Sequence, residues 1–143
     1  MAGPEDLARF VEAQEGVYDT VRAELGAGRK ATHWMWFIFP QLRGLGRSET
    51  ARFYGLRDLD EARAYAGHPV LGPRLAECAS LVLAHAGVPI AEIMGKVDAL
   101  KLRSCATLFE AAAPGDGVYS RLLETFYAGE RCALTQQEIG GAT

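Results

Sequence analysis

The residues best suited to chemistry are concentrated between Lys30 and Arg47. An indole face stacks on a planar ring, a glutamine amide bonds a base edge or a sugar hydroxyl, and a pair of guanidinium groups suits phosphate. These residue types together predict a binding site for a small anionic, nucleotide-like ligand. The predicted ligand-binding residues of this stretch are Trp34, Trp36, Gln41, Arg43 and Arg47.

His33 lies in the same stretch and is the candidate catalytic residue. An imidazole takes up and releases a proton near neutral pH, so His33 has the chemistry of a general acid or base. Beside a bound phosphate ester it would favour hydrolysis. The sequence does not decide whether a reaction is catalysed.

A later helical pattern supplies two more candidate binding residues, Lys101 and Ser104, three positions apart on one stripe. Lys101 would meet phosphate if this stripe faced the first stretch. It is also three residues after Asp98, with which it would form an ordinary surface ion pair. Both interpretations of Lys101 remain open.

No metal site and no cofactor are predicted. The three histidines lie too far apart for the i, i+4 pair that a helical metal site needs. The three cysteines have no close spacing, which argues against a disulfide framework and a cysteine-based zinc site. We therefore expect no redox chemistry. These histidines and cysteines are His33, His68, His85, Cys78, Cys105 and Cys132.

The tryptophan and phenylalanine residues between Lys30 and Arg47 also have a purely structural interpretation, since together they could anchor the core of a domain this small. They are Trp34, Trp36, Phe37 and Phe39. A rival function is a non-enzymatic interaction module, in which the aromatic and arginine residues form a patch for a protein partner or a homodimer. A concave site with convergent polar groups would favour the ligand, and a flat apolar patch with a polar rim would favour the partner.

Composition restricts the class of protein. The chain has 143 residues, 49% of them hydrophobic, which is typical of one globular domain over residues 1–143. Residues 28–57 carry six basic residues against one acidic residue, a charge of +5, whereas the rest carries nine against seventeen, a charge of −8. The acidic overall balance argues against a nucleic-acid partner. The longest apolar run, 34–40, is far too short for a membrane span, and no secretion signal is evident, so we expect a cytoplasmic protein.

Apolar periodicity and turn residues indicate helices throughout and no strand pattern. We predict a compact all-α domain of seven or eight helices, with a frayed tail over about residues 132–143. The predicted segments are 7–25 with a bend or a split at Gly16, 33–42 as a short buried helix or turn, 48–55, 58–67, 69–87, 89–94, 98–114 and 118–129.

Several of these segments together resemble a known family. The run GRKATHWMWFIFPQLRGLGRS, followed by LDEARAYAGHPVLGPRL and LKLRSCATLF, is similar to the bacterial family of unknown function numbered eighteen-ten, often mislabelled calpastatin. The resemblance extends from about Leu7 to Arg131 and implies a compact all-α domain, without implying an activity. It draws attention to the polar and aromatic positions of these segments: His33, Trp34, Trp36, Gln41, His68, Arg74, Lys101 and Ser104.

Overall fold

The computed structural model describes residues 6–140, and most of them are helical. The predicted all-α fold is confirmed, with ten α-helices in the described residues where seven or eight were expected. The helices are α1 (Ala8–Gln14), α2 (Tyr18–Gly26), α3 (Met35–Ile38), α4 (Glu49–Phe53), α5 (Leu59–Gly67), α6 (Leu71–Leu83), α7 (Ile90–Met94), α8 (Lys96–Ala112), α9 (Val118–Tyr127) and α10 (Ala133–Gly140), with a 3-10 turn at Arg43–Leu45.

Two local features account for the additional helices. Gly16 has a φ of +79°, which turns the chain between α1 and α2 and splits the predicted first helix. At the other end, α10 occupies part of the segment predicted to fray. There α10 packs against α8 and Thr135 is fully buried, while residues 141–143 lie outside the described residues.

The central element is α8, which contacts α5, α7, α9 and α10. Its inward face is fully buried: the Phe109 ring lies 5.5 Å from that of Tyr65 and 5.7 Å from that of Tyr119. Its outward face carries Leu100, which is exposed, and Lys101, which is half-buried. One helix therefore joins the core to the surface described below.

Glu24 fixes the loop that leads into α3. Its carboxylate accepts hydrogen bonds from the backbone N–H groups of Ala31 at 2.7 Å and Thr32 at 3.0 Å, and from the Thr32 hydroxyl at 2.6 Å. It also accepts one from the indole Nε1 of Trp34 at 2.9 Å. The carboxylate thus sets where the chain enters α3 and which way the first tryptophan faces.

The chain after α3 is tied to the chain after α4 by an isolated parallel bridge between Leu42 and Leu56. The Arg43 N–H donates to the Leu56 carbonyl at 2.7 Å, and the Leu56 N–H donates to the Gln41 carbonyl at 2.9 Å. Gly55 allows this approach, because a Cβ there would lie 2.4 Å from the Cα of Arg43.

Gly55→Ala should therefore lower the free energy of unfolding by about 1–3 kcal/mol, since the new methyl group meets backbone that cannot turn away. Urea denaturation measures the change. Gly67→Ala at the end of α5 is the matched control, because a Cβ at Gly67 has no atom within 4 Å among the described residues. Equal losses in both variants would show that the close approach is unimportant.

Candidate functional site

Two adjoining cavities open on the face formed by α3, the 3-10 turn, α8 and α10. The first has a volume of about 400 Å³ and the second about 600 Å³, both in the range of small-molecule sites. Trp36 and Lys101 line both cavities. We call the two cavities together the groove, and the Trp36–Lys101 pair its ridge.

The first cavity surrounds the N-terminus of α8. Gly95 precedes this helix with a φ of +88°, and no side chain among the described residues caps it. The first N–H groups of a helix lack partners within it and carry positive partial charge. Three lysines and one aspartate share the cavity, so it is cationic. The charged lining residues are Lys30, Lys96, Asp98 and Lys101.

Ion pairs hold two of these lysines in place. The Nζ of Lys30 lies 2.9 Å from one carboxylate oxygen of Asp98, and the Nζ of Lys101 lies 3.7 Å from the other. The Lys101–Asp98 pair that the spacing suggested is therefore present, and Lys101 still lines the groove. One carboxylate faces two ammonium groups, which leaves net positive charge beside it.

The ridge is a cation–π contact. The Nζ of Lys101 lies 5.4 Å from the centroid of the Trp36 ring, and both side chains are half-buried. Cationic groups bind the faces of aromatic rings within about 6 Å. The ridge therefore offers a planar surface and a positive charge at the point where the cavities meet.

The second cavity brings together residues that are distant in sequence. It is lined by Gln41 and Arg47 from the chain around the 3-10 turn, by Ser104 from α8 and by Glu138 from α10. Exposed leucines, Leu100 and Leu134, lie at its border. Five of the predicted binding residues thus line one cavity: Trp36, Gln41, Arg47, Lys101 and Ser104.

The chain is similar to a family of proteins and to a solved structure. The model of a family described as "Protein of unknown function (DUF1810)" matches residues 4–139. The chain belongs to the DUF1810 family. The family resemblance is thereby confirmed. One solved structure of similar fold is that of the conserved hypothetical protein Rv1873 from Mycobacterium tuberculosis, with 50% sequence identity and a TM-score of 0.93 over 96% of this chain and 98% of that one. Curated proteins give no match.

Two predicted binding residues of this DUF1810 chain lie outside the groove. Trp34 is 2% exposed, because its indole N–H is bonded to Glu24 and its ring packs in the core. The Nε of Arg43 donates to the Gly55 carbonyl at 3.4 Å, and Arg43 lines neither cavity. Of the two indoles, Trp36 is the one placed to stack on a ligand.

His33 lines the first cavity and is exposed. Within the described part of the chain its side chain makes no hydrogen bond, so no second residue orients it as the partners of catalytic histidines usually do. Its catalytic role stays a prediction.

The other signature positions of the family resemblance serve the fold. His68 accepts hydrogen bonds through Nδ1 from the N–H groups of Val70 at 3.1 Å and Leu71 at 3.2 Å, at the start of α6. Arg74 donates to the side-chain oxygen of Gln14 at 3.1 Å. Neither residue lines the groove.

Cys132 is a groove residue that the sequence analysis missed. It directly precedes α10 and lines the second cavity, and the Ser104 hydroxyl donates to its Sγ at 3.2 Å. Burial acts to raise the pKa of Cys132, but the nearby Ser104 hydroxyl, the hydroxyl and N–H of Thr135 and the N–H of Leu134 outweigh it and lower the pKa. The available signal was a cysteine placed just before a helix, where thiolates are stabilised.

The other two cysteines are sealed in the core. Burial raises the pKa of Cys78 to about 12 and holds that of Cys105 well above its usual range. Both are fully or almost fully buried, at 0% and 1% exposure. Their thiols are therefore protonated and inaccessible, in contrast to Cys132.

The described residues hold no cluster of three or more His, Cys, Asp or Glu side chains arranged to bind a metal. Among the same residues no helix combines the length and the apolar character needed to cross a bilayer.

Proposed function

We propose that the protein binds a small anionic, nucleotide-like ligand along the groove. The observation that carries the proposal is the ridge, where a half-buried indole and an ammonium group are shared by two cavities of different character. A ligand with a planar ring and a phosphate tail needs both features within its own length.

The phosphate end of the ligand fits the first cavity. Lys30, Lys96 and Lys101 outnumber Asp98 there, and the N-terminus of α8 adds N–H donors with positive partial charge. Phosphate groups at helix N-termini are bound by this combination of donors and charge. The ammonium of Lys101 can turn from the ring to a phosphate while it stays close to Asp98.

The planar ring and sugar fit the ridge and the second cavity. Trp36 presents its face, and Gln41 and Ser104 supply an amide and a hydroxyl for base edges or sugar hydroxyls. The carboxylate of Glu138 also lines this cavity. A carboxylate disfavours phosphate and accepts hydrogen bonds from sugar hydroxyls or amino groups, so it gives the ligand one preferred direction.

A nucleotide bound with its phosphate groups in the first cavity could be hydrolysed there to release inorganic phosphate. His33 lines the cavity in which we place the phosphate groups, so it is the candidate for proton transfer to or from an attacked phosphate. His33→Gln separates the two parts of the proposal, because it should leave binding in place and remove any release of inorganic phosphate.

Binding is tested by titration calorimetry and thermal unfolding with nucleoside mono-, di- and triphosphates. At least one should bind and raise the melting temperature, with weaker affinity at higher salt. We expect Lys101→Met to weaken binding about tenfold, which corresponds to about 1.4 kcal/mol, and Trp36→Leu to weaken it similarly. Arg63→Met, which removes an exposed cation of α5 that lines neither cavity, is the control.

An absence of binding across the panel would reject the proposal, as would equal affinity for Lys101→Met and the unmodified protein. An absence of nucleotide binding would favour the interaction module instead. One observation supports that second candidate: three large apolar side chains on α8 and α10 are more than half exposed beside the groove. They are Val97 at 66%, Leu100 at 58% and Leu134 at 60%.

A further inference from the structure

We propose that Cys132 is a reactive thiol of the groove, and that it forms mixed disulfides with small disulfides that carry carboxylate groups. This inference concerns a residue and a chemistry that ligand binding does not require. It also departs from the expectation, drawn from cysteine spacing, that the protein has no redox chemistry.

Cys132 is accessible to small molecules through the second cavity. Cys132 is 8% exposed, and it lines a cavity of about 600 Å³ that opens to solvent. A small molecule that enters the second cavity therefore contacts Cys132, whereas the surface of another protein does not. Cys78 and Cys105 offer no comparable route, since both are sealed in the core.

The surroundings of the sulfur favour a thiolate. The Ser104 hydroxyl donates to it at 3.2 Å, and it lies at the N-terminus of α10, where N–H groups and the helix dipole stabilise negative charge. The Cys132 N–H is itself held by the Thr107 hydroxyl at 2.9 Å, which fixes the residue against α8.

A separate observation points to the same place. The Thr135 hydroxyl is fully buried and has no hydrogen-bond partner among the residues that the structure describes, although it lies beside the Cys132 sulfur. A buried hydroxyl without an acceptor is costly, and proteins rarely leave one. A sulfur atom that carries negative charge would supply the missing acceptor.

The charges that face this end of the groove select the reagent. Lys101 of α8 and Arg47 of the loop before α4 attract carboxylates, and Glu138 of α10 suits an ammonium group. The neighbouring charges are already paired: Arg131 with Glu110 and Glu124, and Arg103 with Glu130. A small acidic disulfide with amino groups matches the charges of Lys101, Arg47 and Glu138 that line the cavity.

The exchange reaction balances without a further oxidant. Cys132 first releases its proton to solvent, and the thiolate attacks one sulfur of the small disulfide. A new S–S bond forms, the original S–S bond breaks, and its electron pair leaves with the departing small thiolate. The half that stays bound fills the second cavity, and it would exclude the ligand of the groove if the proposed function holds.

The full-length protein is tested with two aromatic disulfides that differ in charge, the dianionic dithiobis(nitrobenzoate) and the neutral dithiodipyridine. One thiol per native chain should react with each, and Cys132→Ser should abolish the reaction. Cys78→Ser is the matched control and should keep the full rate. Intact mass after incubation with oxidised glutathione should show a single adduct, lost in Cys132→Ser.

Three further variants separate the acidity of the thiol from the charge of the groove. Ser104→Ala should slow both reagents about threefold at neutral pH, because the loss of thiolate is partly offset by the higher nucleophilicity of a more basic sulfur. It should also move the pH midpoint of the rate upward, with Thr135→Val acting in the same direction. Lys101→Met should slow the anionic reagent and leave the neutral one unchanged.

The proposal is overturned if Cys132→Ser still reacts, if the native thiol reacts no faster than free cysteine below pH 7, or if Ser104→Ala leaves the midpoint where it was. Cys132→Ser also keeps the two proposals apart. Nucleotide binding by this variant without thiol reactivity in the unmodified protein would overturn this inference alone, and thiol reactivity without nucleotide binding would overturn the proposed function alone.

Discussion

Arg9→Met should lower the free energy of unfolding by about 3–5 kcal/mol, which is the usual cost of removing one partner from a buried ion pair. The Arg9 side chain is 0% exposed and its guanidinium lies 3.5 Å from the carboxylate of Glu61, itself 5% exposed. Methionine fills much of the volume but leaves that carboxylate buried without its cation.

The loss extends to three carbonyl groups that the guanidinium binds. Arg9 donates to the carbonyls of Phe53 at 2.7 Å, Gly55 at 2.9 Å and Asp6 at 2.8 Å. Gly55 is the residue packed on Arg43, next to the bridge between Leu42 and Leu56. Arg9 therefore supports the chain that carries Gln41 into the groove, and the variant should also weaken any ligand bound there.

Urea denaturation of single and double variants measures this effect. Arg9→Met combined with Glu61→Gln should recover part of the loss, because the second change removes the unpaired charge. Arg63→Met, on the same helix as Glu61, breaks an ion pair with Asp60 whose side chains are 56% and 81% exposed, and should cost less than about 0.5 kcal/mol. A loss of similar size in Arg9→Met and Arg63→Met would contradict the role of burial.

Glu24→Gln should lower the free energy of unfolding at neutral pH by about 2 kcal/mol. Burial acts to raise the pKa of Glu24, but the Thr32 hydroxyl, the N–H groups of Ala31 and Thr32 and the Trp34 indole outweigh it and lower the pKa from 4.5 to about 2. An amide accepts fewer of these hydrogen bonds, and its NH₂ group would face donors.

The sign of the pH dependence follows from the lowered pKa. A carboxyl that is more acidic in the folded state contributes its full stability above pH 4.5 and loses it as the pH falls toward about 2. The unmodified protein should therefore lose about 2 kcal/mol more than Glu24→Gln across this interval. Glu15→Gln, which changes an exposed carboxylate, is the control and should follow the unmodified curve. Parallel curves for Glu24→Gln and the unmodified protein would refute the assignment.

The helices were predictable where one face is apolar at regular spacing. The periodic pattern at 69–87 and 118–129 corresponds to α6 at Leu71–Leu83 and α9 at Val118–Tyr127. The split of the first helix depends instead on the backbone of Gly16, whose positive φ no apolar pattern encodes. The end of the chain was predicted to fray, whereas α10 begins at Ala133 and makes Cys132 the residue before the helix.

The site was less predictable, because side-chain direction in the aromatic run is set from outside it. Nearly every position from Trp34 to Pro40 is apolar, so periodicity does not say which indole faces the core. Glu24, ten residues earlier, decides it by binding the indole N–H of Trp34. The environment of the Cys132 sulfur likewise depends on a hydrogen bond from Ser104, which lies 28 residues before it. Such pairings follow from the packing of α8 against α10 and have no local signature.

The two tryptophans of the chain differ in solvent exposure, so their intrinsic fluorescence can report on the groove and on folding separately. Trp34 is sealed at 2% exposure, while Trp36 stands half-buried on the ridge. A collisional quencher dissolved in water therefore reaches Trp36 and does not reach Trp34. The intrinsic fluorescence divides into a shielded component from Trp34 and an open component from Trp36. The open component reads out occupancy of the groove without a label, and the shielded one reports whether the chain is folded.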